Sequence, residues 1–404
     1  MDFEATRSVG QEILTEFIPR MGPRYTRLRN FDRGKGAHRD VSLLSAYIRR
    51  RLITESEVVT AALNEHGPEA SEKFIQEIFW RGYFKGWLER RPKTWDSYRD
   101  GLLRDLSTLD TDRHLRLKVE QAETGQTGLD YFDSWVEELI ETGYLHNHAR
   151  MWFASIWIFT LKLPWRIGAD FFYRHLIDGD PASNTLGWRW VAGLHTRGKP
   201  YKAHAWNIAK FTEGRFSPRE IDLASDITGL ECTEPEGLPD VIPLRTPTPP
   251  EEHLPTALLI TEDDCRLEEF SLQSLNICTA ATVSASHLRS PRDVSSNIVS
   301  FEDTALKDSA ARIGLEMTHI RACAPTDILR WANRSSVSQV VVPYVSTGPL
   351  GDWFEQTVRY LSEAGITLSE LRRDWDAQIW PHATAGFFKV KKQIPRILHN
   401  DGLI

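Results

Sequence analysis

This sequence predicts an all-helical N-terminal domain joined by a proline-rich linker to a parallel α/β C-terminal domain. Three observations carry that prediction. Up to about residue 230, apolar residues recur at three- and four-residue spacing, the period of a helix with one buried face. Residues 231–256, ECTEPEGLPDVIPLRTPTPPEEHLPT, hold seven prolines, which helix interiors and central strands exclude. From residue 257 on, short runs rich in β-branched residues alternate with amphipathic segments, the pattern of a parallel sheet covered by helices.

The elements follow in order. FIQEIFWRGYFKGWLE and YFDSWVEELIETG read as amphipathic helices. HARMWFASIWIFTLKL is apolar nearly all round and reads as a buried helix over 146–163. The proline-rich stretch reads as an extended linker. TALLIT, ICTAATVS, EMTHIRA, QVVVPYV and ITLSE read as strands, separated by helical segments such as DTALKDSAARIGL and DWFEQTVRYLSEAG. The expected domains are therefore 1–230, the linker 231–256, and 257–404. No GxGxxG or Walker pattern stands at a strand end, so no dinucleotide or nucleoside triphosphate site is expected there.

Composition narrows the class. No apolar run approaches the roughly 18 residues of a membrane span, so no membrane association is expected. The start, MDFEATRSVGQEI, lacks a signal-peptide core, and a cytoplasmic protein is expected. The four cysteines form no CxxC pair, so they read as buried or incidental thiols and no metal is expected. The net charge of −7 is uneven: residues 146–219 carry 11 basic against 4 acidic side chains. A basic sector of this kind suits a polyanion, although it also suits a plain solvated face.

The densest chemistry lies in HLIDGDPASNTLGWRW, residues 175–190. Asp180 followed by Pro181 is a helix start, with a carboxylate N-cap and proline at the first position. Asn184 and Trp188 then share a face, and Trp190 points the other way. Asp178 and Asp180 can accept hydrogen bonds from a ligand; a capped helix with core tryptophans explains the same residues. Asn147, Arg150 and Met151 share a helix face, and an arginine on so apolar a helix needs an anion, either Asp178 or a phosphate. Glu77, Trp80 and Arg81 form a similar set. In HRDVSLLSAYI, Asp40 reads as an N-cap with Ser42 and Ser45 in the first turn, an arrangement suited to phosphate.

Together these segments resemble the flavin-binding helical domain of the DNA photolyase and cryptochrome family. The resemblance runs from Tyr25-x-x-x-Arg29 through VSLLSAYI, EIFWRGYF, GQTG, GYLHNHARM and LIDGDPASNTLGWRW to about residue 216. The α/β half is similar to the family's Rossmann-like antenna domain at ALLITEDDCRLEEF, WFEQTVRYLSEAGITL and AGFFKVKKQIPRIL. The family places that domain first, so the resemblance implies a circular permutation.

The resemblance also implies roles. Tyr25, Ser42, Ser45 and Arg81 would hold the phosphates and adjoining parts of a bent FAD. Asn147, Arg150, Asp178, Asp180 and Asn184 would line its isoalloxazine, with Asn184 near N5. Trp188 and Trp165 would be the first two members of an electron-hopping chain. Glu77, Trp80, Met151 and Trp190 would line a cavity for a flipped lesion in UV-damaged DNA. The implied activity is light-driven splitting of cyclobutane pyrimidine dimers by electron transfer from reduced FAD. Met151 stands where enzymes for (6–4) photoproducts carry a histidine, which favours cyclobutane dimers. A cryptochrome-type photoreceptor without repair is the alternative, as is (6–4) repair. A second, antenna chromophore of open identity is a further candidate cofactor, and a monomer is expected. Val41, Ala46 and Tyr144 depart from the family's usual Thr, Pro and Trp.

Overall fold

A computed structural model describes residues 4–404. It divides into two compact units. A helical unit comprises Pro23–Leu43 and Arg91–Val241; a sheet unit comprises the described residues up to Gly22, Leu44–Arg90 and Ile242–Ile404. These groupings differ from the boundaries expected at residues 230 and 256. The reason is long-range packing that periodicity does not reveal: the helix Glu55–Glu89 buries its glycine-bearing face on C-terminal residues of the sheet unit. A Cβ at Gly86 would lie 2.7 Å from the Trp380 Cα, so only glycine permits this approach.

The sheet unit holds five parallel strands: β1 (Pro255–Thr261), β2 (Asn276–Ser284), β3 (Met317–Arg321), β4 (Gln339–Pro343) and β5 (Thr367–Leu371). Their spatial order is β3-β2-β1-β4-β5. All five coincide with the runs read from sequence. Central β4 is buried throughout and β1 nearly so, while β3 at one edge is largely exposed. The helices Ser296–Ile313, Asp327–Arg334 and Pro349–Glu363 connect the strands, as the alternating pattern predicts. The order reverses between β1 and β4, which makes their carboxyl ends the switch point of the sheet.

The helical unit packs around stacked aromatic rings. Phe132 lies on Phe153 at 4.3 Å between centroids, and Trp135 on Trp152 at 5.6 Å. The apolar segment read as one helix over 146–163 is instead an α-helix, Asn147–Ser155, followed by a π-helical turn, Ile156–Thr160. The wider turn carries five bulky residues, three of them buried, past the neighbouring helices.

The proline-rich stretch is extended but pinned. In the helical unit, Glu234 takes both terminal nitrogens of Arg189 at 2.7 and 2.6 Å. In the sheet unit, Ile242 N donates to Arg90 O and Glu370 N to Thr248 O, both at 2.9 Å. Of the four cysteines only Cys265 is buried; Cys232, Cys278 and Cys323 are exposed. No helix among the described residues is long and apolar enough to cross a membrane.

Candidate functional site

In the helical unit, the start of Pro181–Val191 forms as its sequence dictates. Asp180 has extended backbone angles, and its Oδ1 accepts from Ser183 N at 2.8 Å. Trp188 is buried and edge-on to Phe172 at 5.1 Å and to Trp157 at 6.3 Å. Trp190 leaves the other side of the helix, half-buried, and leans on Tyr201 at 5.4 Å. Asn184 is half-buried; its Nδ2 donates to Ala169 O at 2.8 Å, which leaves Oδ1 to accept. One turn on, a Cβ built at Gly187 would meet nothing within 4 Å. Asp180, Asn184 and Gly187 thus form a stripe of capped acid, oriented amide and open space.

The helix Asn147–Ser155 supplies the cation. Arg150 donates from NH2 to Asp178 Oδ2 at 2.9 Å and from Nε to Leu145 O at 2.8 Å. The partner that the sequence required is therefore Asp178. Asn147 is exposed, and Arg150 and Met151 are half-buried on the same face. His146 caps this helix as a neutral ring: Nδ1 accepts from His148 N, and Nε2 lies 3.0 Å from Arg29 O. Burial is the main cause that pushes its pKa down, to about 3, against the pull of Asp32. His146 and His148, the latter 3.0 Å from Asn30 O, tie the Tyr25–Asn30 segment to the site helix. Tyr25 is buried, with Arg29 over its ring at 5.8 Å.

The helix start read at Asp40 needs correction. Asp40 is not an N-cap: it is buried and bonded to Arg33 Nε at 3.0 Å. The helix that follows runs from Ser45 to Arg49 with Leu44 at its N-cap, and Ser42 precedes it. Two buried acids nearby in sequence explain the difference. Asp40 takes Arg24 and Arg33, and Asp32 takes Arg215, so this segment is set by side-chain pairing. Between the serines, Leu43 holds φ at 58°, a conformation costly for a branched side chain.

Trp165 is buried against Tyr98 at 5.9 Å, with Arg166 over its ring. The ring found edge-on to Trp188 is Trp157, whose Nε1 donates to Pro164 O, next to Trp165. No motif marks Trp157; its place in the all-apolar run IWIFT was the available signal. The structure also brings ligand atoms of Asp32, His38 and Glu138 within 4.8 Å of one another. The oxygens of Asp32 are already engaged by Trp135, Gly34 and Arg215.

Ser45, Glu77, Trp80 and Arg81 belong to the sheet unit. Glu77 pairs with Lys73 at 3.3 Å. Arg81 adds to the field that, with Arg51, lowers the buried Glu55 carboxyl against the effect of its burial. Trp80 is half-buried, and Phe387 stacks on it at 4.0 Å and 12°. Sequence reasoning missed Phe387, because only tertiary contact links it to Trp80.

The switch point of the sheet is closed by ion pairs. Glu262, Asp263 and Asp264, at the end of β1, meet Arg49, Arg50 and Arg51. Arg50 lies 3.1 Å from Glu262, Arg49 2.9 Å from Asp263, and Arg51 3.4 Å from Asp264.

The helical unit thus offers an acid-capped helix, an amide acceptor, an arginine–aspartate pair and open space at Gly187, a set that suits a flavin. The comparisons agree. Residues 74–217 match the model of the FAD binding domain of DNA photolyase. It is 34% identical over 165 residues to the deoxyribodipyrimidine photo-lyase of Streptomyces griseus, covering 39% of this chain and 33% of that one. It is 28% identical over 207 residues to that of Vibrio cholerae, covering 50% and 41%. The chain thus spans well under half the length of these relatives. A class III photolyase from Agrobacterium tumefaciens is a similar solved structure, with TM-score 0.42 and 27% identity over 52% of this chain and 43% of that one.

The residues fit FAD, and the open stripe gives a direct check. Gly187→Leu would fill it while raising helix propensity by about 1 kcal/mol. The expected variant keeps its far-UV circular dichroism and melting point but loses bound flavin by more than an order of magnitude, read as flavin absorbance per protein. Full occupancy in the variant would remove the ring from beside Asn184.

Proposed function

We propose that this protein is a light-driven DNA repair flavoenzyme that splits cyclobutane pyrimidine dimers. The stripe of Asp180, Asn184 and Gly187 beside the Arg150–Asp178 pair carries the reading. FAD held at this site would supply light-driven one-electron chemistry. The chain's own residues do the rest. Asn184 Oδ1 accepts from a protonated ring nitrogen, and Arg150, held by Asp178, keeps a fixed positive charge at the site. A damaged dinucleotide stacks poorly and leaves the duplex at low cost. In the helical unit, Met151 and Trp190 would contribute apolar and aromatic surface to receive it; in the sheet unit, Trp80 would offer a stacking surface of its own, each aromatic worth roughly 1–3 kcal/mol. Glu77 would accept hydrogen bonds from pyrimidine N–H groups. Trp188, with Trp165 as the next member of the chain, would deliver electrons to an oxidised cofactor. The same reading includes a permuted domain order, supported by the family match at 74–217 preceding the strands at 255–371.

One observation favours a second reading, a cryptochrome-type photoreceptor. Phe387 already covers one face of Trp80. Repair then requires that the lesion use the other face. The test is illumination of the reduced holoprotein with dimer-containing single- and double-stranded DNA. Light-dependent loss of dimers in either substrate is expected. No loss in both, with flavin fully reduced, would reject repair and leave the photoreceptor.

A further inference from the structure

The sheet unit is acidic, yet its C-terminal end is not. Residues 377–400 contain no aspartate or glutamate and carry Lys389, Lys391, Lys392 and Arg396. The segment is firmly seated. Val390, Ile394, Ile397 and Leu398 are buried, and Phe387 is stacked on Trp80 of the helix Glu55–Glu89. Against that anchoring, Phe388 turns outward and is 75% exposed. Its exposure is thus a property of an ordered surface. Lys389, Lys392 and Arg396 are exposed beside it, whereas Lys391 lies 3.4 Å from Glu72.

An isolated exposed aromatic is ordinary. An exposed ring set among cations in a stretch free of acids is the chemistry that holds a nucleic-acid strand. The ring stacks on any base, and the cations replace counterions at phosphates. We infer that residues 388–396 are a DNA-strand contact, with Phe388 stacking a base and Lys389, Lys392 and Arg396 holding the backbone. This rests on the DNA reading proposed above and adds a footprint outside the basic sector at 146–219. The segment is anchored on the helix that carries Glu77 and Trp80, so a strand held there runs past those side chains. Charge decides against an acidic protein as partner only in part; the aromatic among the lysines favours bases.

Two variants test it in the holoprotein, with a fluorescent single-stranded oligonucleotide titrated at several salt concentrations. Phe388→Ala is expected to weaken binding roughly tenfold or more. Lys389→Gln with Lys392→Gln should flatten the log–log salt slope by about 1.4, roughly 0.7 for each lost phosphate contact on a single strand. Both variants should keep wild-type flavin content, circular dichroism and repair of an isolated dimer dinucleotide, which is too short to need this surface. Unchanged affinity and slope in both variants would overturn the inference while leaving repair intact. Wild-type protein that binds the strand through these residues but repairs nothing would instead overturn the proposed function alone.

Discussion

Glu262→Ala is expected to destabilise the protein by about 3–5 kcal/mol, the cost of removing one partner from a buried ion-pair cluster. Glu262 is buried and lies 3.1 Å from both Arg50 and Arg289 and 3.4 Å from Arg49. Burial alone would raise its carboxyl pKa; Arg289, Arg49 and Arg50 bring it down to about 2. Burial likewise pulls the fully enclosed Arg50 down to about 10. Without the carboxylate, Arg50, Arg289 and Arg49 lose the anion they share, and Arg49 keeps Asp263 at 2.9 Å. Glu262→Gln keeps the shape, loses the charge, and should be nearly as damaging. Urea unfolding of each variant is the measurement, with the exposed pair Arg219–Asp222 as a control that should leave the midpoint in place. A loss for Glu262→Ala below about 1 kcal/mol, the range of surface pairs, would mean that the cluster is not the clamp described.

Trp188→Phe is the second large effect, and it acts on function. Trp188 is buried among Phe153, Phe172 and Trp157, and its Nε1 has no hydrogen-bond partner among the described residues. Phenylalanine keeps an aromatic ring in that cage but is far harder to oxidise than indole. Photoreduction of oxidised flavin should slow by at least an order of magnitude, followed as bleaching of the flavin band under blue light with an external reductant. Repair by enzyme reduced beforehand should change little, because that step does not draw on the protein for its electron. The split separates electron supply from catalysis. Equal losses in both would give Trp188 a structural role instead.

Much of the site was legible because its signals are local. Asp180 and Pro181 start a helix by short-range hydrogen bonding and fixed φ, whatever surrounds them. The opposite directions of Trp188 and Trp190 follow from helical period. The demand of Arg150 for an anion follows from the cost of a buried charge, and Asp178 meets it. The five strands were legible for the same reason, as runs of β-branched residues bounded by turns. The reading failed at Asp40, which pairs with arginines, and no helix starts there.

By itself, then, the sequence determined most helices and the five strands, the shared face of Asp180 and Asn184 and, through its family resemblance, the kind of cofactor expected there. Only the tertiary structure decided that residues 44–90 group with the sheet, that Arg49–Arg51 close the end of β1, and that Phe387 covers Trp80. The physical reason is range. Helix caps, periodicity and turn chemistry act over a few residues and leave their mark in adjacent letters. Ion pairs and ring stacks between residues some 200–300 positions apart depend on which surfaces the folded chain brings within reach.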